Sequence, residues 1–385
     1  MSREEEALDL HSRNPGKISV EASVEINGKH DLGLVYTPGV AAPCKKISQD
    51  RENAYRYTSK GNLVAVVSDG SAVLGLGDIG AEASMPVMEG KANLMRKFGD
   101  VNGFPICINA ENAEDIIEHV EREAPTFGAV NLEDIKAPRC FKAEEELDKR
   151  LDIPVFHDDQ HGTAIVVGAA VKNALKLAEK DLKDARIAIS GAGASGIAVA
   201  NFLLDAGAEK IVPVDSSGIL RTDDENKYKA DLAKRTLASE EQGGLEDAME
   251  NADVFIGLSA PGIVSKQMIS SMNDKSIVFA LANPEPEIYP EEASEAGAFI
   301  TATGRSDFDN QVNNSLAFPG IFRGALDARA TEINEEMKIA ASEAIMEFIE
   351  PSTDRIVPET LDKELAMEIA QRVEESARSS GASRE

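Results

Sequence analysis

Arg186-Ile187-Ala188-Ile189-Ser190-Gly191-Ala192-Gly193-Ala194-Ser195-Gly196 is the stretch that decides the fold. Its first five residues make a short apolar run with the length of a buried strand, and glycine ends it at once. Helix-forming residues follow from Ile197 to Ala206. Strand, glycine turn and helix in that order are the context in which Gly-x-Gly-x-x-Gly binds a dinucleotide. Gly191 permits the tight turn, Gly193 lets the backbone approach a pyrophosphate, and Gly196 allows close packing of the helix. The free N–H groups and positive partial charge at the helix start then favour the anion. Gly191, Gly193, Ala194, Ser195 and Gly196 are therefore the predicted cofactor-binding positions. Asp215 joins them, roughly 20 residues on at the end of the next strand, where it accepts from the adenine ribose hydroxyls.

Working outward, short buried-strand patterns alternate with helical ones. They fall at Arg186 to Ser190, Lys210 to Val214, Val254 to Leu258, Ile277 to Leu281 and Ala298 to Thr301. Such alternation predicts an α/β fold with a doubly wound parallel sheet of the Rossmann kind. Upstream of about residue 155 the chain reads differently: apolar runs such as Leu63 to Val67 and helix-like segments such as Ala113 to Glu123 are broken by many glycines. We expect a mixed α/β substrate and metal domain over 1–160, and a dinucleotide-binding domain with C-terminal helices over 161–385. After about Val373 the polar ending predicts a frayed tail. Pro213 sits inside a predicted strand and cannot donate to a ladder, which the sequence does not explain.

Asp215 bears on cofactor choice, because a carboxylate there repels a 2'-phosphate and Ser216-Ser217 offer no cation. NAD is favoured over NADP. Arg221 lies close enough to weaken that inference, although a solvated surface arginine is its simpler role.

The chain has 385 residues, with 68 acidic against 40 basic, for a formal charge of -28. A field of that sign repels phosphate backbones and acidic lipid surfaces, so nucleic acid and membranes are poor partners. No apolar run reaches the roughly 18 to 20 residues of a membrane span, and the start MSREEEALDL is charged where a signal peptide is apolar. A cytoplasmic protein is expected. Cys44, Cys107 and Cys140 are widely spaced, lack a Cys-x-x-Cys pair and read as reduced thiols. The acidity fits either salt adaptation or an ordinary acidic protein.

Two acidic motifs carry the chemistry of the first half. Asn131-Leu132-Glu133-Asp134-Ile135 sets adjacent carboxylates in an apolar stretch, and Phe156-His157-Asp158-Asp159-Gln160-His161-Gly162-Thr163 sets two more just before a helix. Hard oxygen donors of this kind suit Mg²⁺ or Mn²⁺, and buried carboxylates without a cation would be costly. Solvated acidic loops are the plainer alternative. His157 and His161, four apart, superficially resemble a zinc-hydrolase pair. That chemistry needs both on a helix and leaves the glycine turn without a purpose. Holding the loop through hydrogen bonds is the simpler role for both.

Together these residues closely resemble the malic enzyme family, in its shorter bacterial and archaeal form without a phosphotransacetylase-like extension. The likeness covers nearly the whole chain. It rests on Tyr36-Thr37-Pro38-Gly39-Val40-Ala41, Val73-Leu74-Gly75-Leu76-Gly77-Asp78-Ile79-Gly80, Met88-Glu89-Gly90-Lys91, the two acidic motifs, the glycine turn, Ala282-Asn283-Pro284-Glu285-Pro286-Glu287 and Gln311-Val312-Asn313-Asn314. The resemblance implies oxidation of (S)-malate to pyruvate and carbon dioxide with a nicotinamide cofactor and a divalent metal. It implies Glu133, Asp134 and Asp159 as metal ligands and Lys91 as the base at the C2 hydroxyl. It also implies Asp158 as the group tuning that base, and Tyr36 as the acid that protonates C3. A free lysine has a pKa of about 10.4 and must be lowered toward roughly 7 to 8 by metal charge and burial to serve. Without the resemblance, Lys91 would read as a surface lysine and Tyr36 as a packing aromatic.

Asn283 and Asn314 match family asparagines that contact nicotinamide or the malate carboxylate. One departure stands out: Ser71-Ala72-Val73 occupies the place where eukaryotic members carry a substrate-binding arginine, so carboxylate recognition differs here. Two other functions compete with malate decarboxylation. One is a dehydrogenase of another 2-hydroxy acid that oxidises without releasing carbon dioxide, and the other is a non-catalytic dinucleotide sensor. The resemblance further implies a homo-oligomer, at least a dimer, with the N-terminal domain in its interface.

Overall fold

The strands β1 (Leu63–Ser68), β2 (Asn102–Cys107), β3 (Ala129–Leu132) and β4 (Val155–His157) form the first sheet, in the order β2-β1-β3-β4. All its pairs are parallel. The second sheet uses β5 (Arg186–Ser190), β6 (Lys210–Asp215), β7 (Gly218–Ile219), β8 (Val254–Gly257), β9 (Ile277–Ala280) and β10 (Ile300–Thr303), in the order β10-β9-β8-β5-β6-β7. It is parallel except for the short β6–β7 hairpin. These elements come from a computed structural model that describes residues 2–13, 16–359 and 362–384.

Strands covered by helices on both faces read as continuous apolar runs. Accordingly, β5, β8 and β9 are buried along nearly their whole length. The expected strand positions hold to within a residue, apart from the last. That strand occupies Ile300–Thr303 instead of Ala298 to Thr301, because the Ala298 N–H bonds back to Ala293 and closes the preceding helix, Pro290–Glu295. The helix after the glycine turn runs Ala194–Asp205, and the helix Ala113–Glu123 lies where expected.

β5 is flanked by β6 on one side and β8 on the other, so the connections leave it in opposite directions. A crevice opens outside the strand ends at such a reversal, which is where open α/β sheets bind ligands. Pro213 now has an explanation. In β6 it stands opposite Ile189 of β5, but its carbonyl faces β7 and accepts from Leu220 N–H. Its missing donor therefore points to the short edge hairpin, and the long parallel ladder with β5 keeps its bonds.

The frayed tail is corrected by the structure. Lys363–Ser380 is a helix that buries Leu365, Ala366, Ile369, Ala370, Val373 and Ala377 on one face, and Asp362 caps it by accepting from Leu365 N–H at 2.8 Å. That spacing of three and four is a helical stripe made largely of alanine, which is why its composition reads as polar. This helix and Phe318–Asp327 pack together and against the helix Ala81–Gly99 in the first half. Gly99 lies so close to Pro319 that an added Cβ would sit 2.5 Å from its carbonyl oxygen. Buried apolar residues make one continuous core through both sheets. Among the described residues, no helix is long and apolar enough to cross a membrane.

Candidate active site

Strand register brings the two acidic motifs together. Leu132, the last residue of β3, pairs with His157, the last residue of β4. Glu133-Asp134 and Asp158-Asp159 therefore leave the sheet side by side at its carboxyl end. Asp158 and Asp159 do not precede the helix as the sequence suggested: they form the first turn of Asp158–Ala178, where the helix dipole favours negative charge. Gly162 must lack a side chain one turn later, since a Cβ there would meet Asp158 Oδ1 at 1.9 Å and the side chain of Asn314 at 3.3 Å.

Lys91 enters from the helix Ala81–Gly99 and is only 9% exposed. Its ammonium bonds to Asp158 Oδ2, reaches Glu133 Oε1 at 3.0 Å and lies 4.3 Å from the centre of the Phe318 ring. Asn131 donates to Glu133 Oε2 at 2.8 Å, and the Asp134 backbone N–H donates to Asp159 Oδ2 at 2.8 Å. Asp134 has a φ of 54°, a left-handed conformation that aspartate tolerates better than most residues.

One ammonium faces four carboxylates, so the cluster is short of positive charge. Burial pushes the carboxyls up, to about 7 for Glu133, about 8 for Asp134, about 7 for Asp158 and about 6 for Asp159. Burial would also lower the Lys91 ammonium, as expected for a base. However, the carboxylates of Asp158, Glu133 and Asp159 outweigh it and hold the pKa above the ordinary lysine value. A lysine poised near neutrality therefore requires those charges to be countered. Asp134 Oδ2 and Asp158 Oδ1 are buried without a hydrogen-bond partner. One oxygen each from Glu133, Asp134 and Asp159 lies within 4.8 Å of the others. Hard donors, close spacing and an orphaned oxygen fit a divalent cation such as Mg²⁺ or Mn²⁺.

The glycine turn lies beside this cluster. Ser195 Oγ donates to the backbone carbonyl of Asp159 at 2.8 Å, so one residue of the turn is fastened to one residue of the acidic site. Gly191 has a φ of 108° and passes so close to β8 that a Cβ would sit 2.4 Å from the Leu258 carbonyl oxygen. Beside Gly193 nothing stands within 4 Å of a Cβ position, which leaves that face of the turn open. A cavity of about 790 Å³ extends from Gly191–Gly193 to Asp215, with Ser190, Ser259 and Ile263 in its walls. Asp215 is paired with Lys229 at 2.5 Å and accepts from Ser217 N–H at 2.7 Å. Sequence reasoning missed Lys229, since nothing in a lysine 14 positions beyond Asp215 marks it as facing that carboxylate. Arg221 is tied up by Asp223 at 2.8 Å on the surface, as the simpler role required.

Asn314 packs against Gly162 next to Asp158, and Asn283 donates to the Leu281 carbonyl at 3.3 Å. Pro284 lies 3.6 Å from the Cβ position of Gly75, so the glycine-rich loop after β1 meets the Asn283 loop. Tyr36 is not drawn in: it ends the short helix Lys29–Val35, is 68% exposed, and among the described residues makes no hydrogen bond to the cluster through its hydroxyl. His161 holds no loop, because it lies in the first turns of the helix Asp158–Ala178, where its ring meets Glu144 at 3.0 Å. The His157 ring is buried without a hydrogen bond, and burial lowers its pKa to about 4, so it sits neutral. The two histidines do not share a helix, since His157 ends β4. Glu144 was also missed; it accepts from the His157 backbone and from Gln160, each at 2.8 Å, and fixes the turn that presents Asp158 and Asp159. The three cysteines are free.

Comparison with known proteins identifies the family. The family model described as malic enzyme, N-terminal domain, matches residues 15–118, and that described as malic enzyme, NAD binding domain, matches residues 160–378. The chain is 53% identical to a bifunctional malic/malolactic enzyme of Bacillus subtilis, covering all of this chain and 95% of that one. It is 50% identical to an NADP-dependent malic enzyme of Halomonas elongata, over 94% of this chain and 86% of the relative. Among solved structures, a Thermotoga maritima NAD-dependent malic enzyme superposes with a TM-score of 0.93 at 48% identity, covering 96% of this chain and 98% of that one. A Pyrococcus horikoshii malic enzyme gives 0.95 at 48% identity, over 99% and 92%. With both halves matched, and relatives this similar over nearly their full length, the chain belongs to the malic enzyme family.

Proposed function

We propose that the family reaction runs here between the acidic cluster and the glycine turn, with Lys91 as base and NAD as the favoured cofactor. The reaction itself is the oxidative decarboxylation of malate with NAD or NADP. The observation that carries the proposal is the Ser195–Asp159 bond, which fastens the acidic motif to the glycine turn. Lys91 takes the C2 hydroxyl proton as hydride leaves C2 for the nicotinamide, and Asp158 keeps the ammonium oriented. Carbon dioxide departs from C4, and Tyr36 supplies the proton that C3 then needs. General acid–base groups of this kind contribute typically about 10²- to 10⁴-fold. Glu133, Asp134 and Asp159 would hold Mg²⁺ or Mn²⁺. When bound, that cation supplies positive charge that polarises the C2 oxygen and offsets the surrounding carboxylates. Asn283 and Asn314 orient nicotinamide and the substrate carboxylate.

For Tyr36 to take part, its segment must be covered and closed over the site. Val20, Val24, Ile26, Leu34 and Val35, in the same stretch of chain, are exposed apolar residues, which supports a homodimer. We place the boundary between substrate and dinucleotide domains at 160/161, and read the protein as cytoplasmic and its acidity as an adaptation to salt. Lys229 favours a second cofactor reading, because its ammonium at Asp215 offers a 2'-phosphate the cation that Ser216-Ser217 lack.

The test is turnover of malate with Mn²⁺ and either NAD or NADP, at low and high KCl, with pyruvate, lactate and carbon dioxide measured together. Equal pyruvate, carbon dioxide and NADH, with a larger kcat/KM for NAD, is expected. Oxaloacetate without carbon dioxide would overturn the site assignment, and a preference for NADP would move cofactor choice to Lys229. Activity that collapses in concentrated KCl would end the salt reading.

A further inference from the structure

Glu287 is fully buried, and the reaction as described does not use it. Among the described residues no lysine, arginine or histidine pairs with it. Its carboxylate is instead filled by donors from two separate strand ends. Oε1 accepts from Ser259 N–H at 2.9 Å and from Ser259 Oγ at 3.3 Å, while Oε2 accepts from Ala282 N–H at 3.1 Å. Gly257, at the end of β8, has to be glycine, because a Cβ there would lie 2.4 Å from the Glu287 carboxyl carbon. The backbone reinforces the tie: Gly262 N–H donates to Pro286 at 3.0 Å and Val264 N–H to Glu287 at 3.1 Å. Ser259 Oγ also meets Ser190 Oγ at 2.9 Å, extending the link to the end of β5.

The loops joined in this way frame the cofactor. Ser190, Ser259, Ala260 and Ile263 line the cavity beside the glycine turn, and Asn283 lies between Ala282 and the rest of the Glu287 loop. We propose that Glu287 is a positioning residue for hydride transfer, setting the dinucleotide wall 259–264 and the Asn283 loop relative to each other. A carboxylate suits this task because it offers only acceptors, so two inward backbone donors and a hydroxyl converge on it without competition. The inference rests on the dinucleotide occupying that cavity and on Asn283 facing the nicotinamide.

The experiment uses the full chain with Mn²⁺, malate and NAD, and compares Glu287→Gln with Ser259→Ala. Glutamine keeps the shape but turns an N–H₂ toward one backbone donor and leaves it unpaired, which predicts about tenfold weaker NADH binding together with a lower kcat. Ser259→Ala removes the hydroxyl's bonds to Glu287 and Ser190 but leaves the Ser259 N–H on the carboxylate, and predicts a rise of roughly threefold in KM for NAD with a smaller change in kcat. NADH affinity is read from the nicotinamide fluorescence and folding from Tm. A purely structural glutamate would lower Tm and leave the NADH affinity and kcat of the folded variant alone, and that result overturns the proposal. If Glu287→Gln does not fold, Ser259→Ala decides alone, and wild-type kinetics there overturn it. Asn283→Ala separates the two inferences: if it is silent, the Asn283 role falls, while NADH affinity in Glu287→Gln still reports on the wall.

Discussion

Buried carboxylates stand at the carboxyl end of each sheet, and they are treated in opposite ways. Beyond β8 and β9, Glu287 has no cation, yet both its oxygens are occupied by N–H and O–H donors. Beyond β3 and β4, four carboxylates share one lysine, and Asp134 Oδ2 and Asp158 Oδ1 have no partner. A buried negative charge is tolerable when the backbone supplies enough donors, and where it does not, charge must come from outside the chain. The first arrangement is a fastener and the second a receptor.

The sharpest way to break this contrast is to remove the one cation the receptor owns. Lys91→Ala should lower kcat for malate by about 10²- to 10⁴-fold while NADH still binds with wild-type affinity. A variant with kcat within a few-fold of wild type would mean that Lys91 only balances charge. Next in size is Asp134→Asn, which takes away an unpaired donor oxygen. Mn²⁺ binding, followed by electron paramagnetic resonance in the absence of malate, should weaken by at least the roughly 10- to 100-fold that loss of a supporting group costs. Unchanged Mn²⁺ binding would show that the cluster is not where the ion sits.

The smallest effect is a slope of stability against pH. The folded cluster holds its carboxyls at about 6 for Asp159 and up to about 8 for Asp134, above the ordinary aspartate value of 3.8. Folded protein then binds more protons than unfolded, so the stabilisation is complete below pH ~4 and is lost as pH rises through the folded values. Tm measured in chelator should fall between about pH 5 and pH 8, and excess Mn²⁺ should flatten that slope. A Tm that is independent of pH in chelator would place the carboxylates in a better-solvated setting than their burial implies.

Much of this was legible before any coordinates. Parallel strands advertise themselves as short apolar runs, so β5, β6, β8 and β9 could be placed to a residue, and the glycine turn with them. The acidic motifs were visible because polar residues inside apolar stretches demand a reason. What escaped is what depends on pairing across the fold. Glu144 and Lys229 are ordinary charged residues on helices, and only the approach of Gln160 or Asp215 gives them a task. The C-terminal helix was lost to an alanine stripe too weakly apolar to stand out. Lys91 was expected to be lowered by burial, but the three carboxylates that reverse the shift, Asp158, Glu133 and Asp159, meet it only through the register of β3 and β4.

That late helix has a bearing on how the molecule comes into being. Phe318 lies under the Lys91 ammonium, and Pro319 closes on Gly99 at the end of the same helix, with Lys363–Ser380 packed behind them. A chain emerging from the ribosome can pair β1 to β4 early, but the support for its base arrives only after every strand of the second sheet has been made. Competence for proton transfer is therefore acquired later than either sheet, and a nascent chain halted before Phe318 carries the acidic motifs without the packing that aims Lys91 at them.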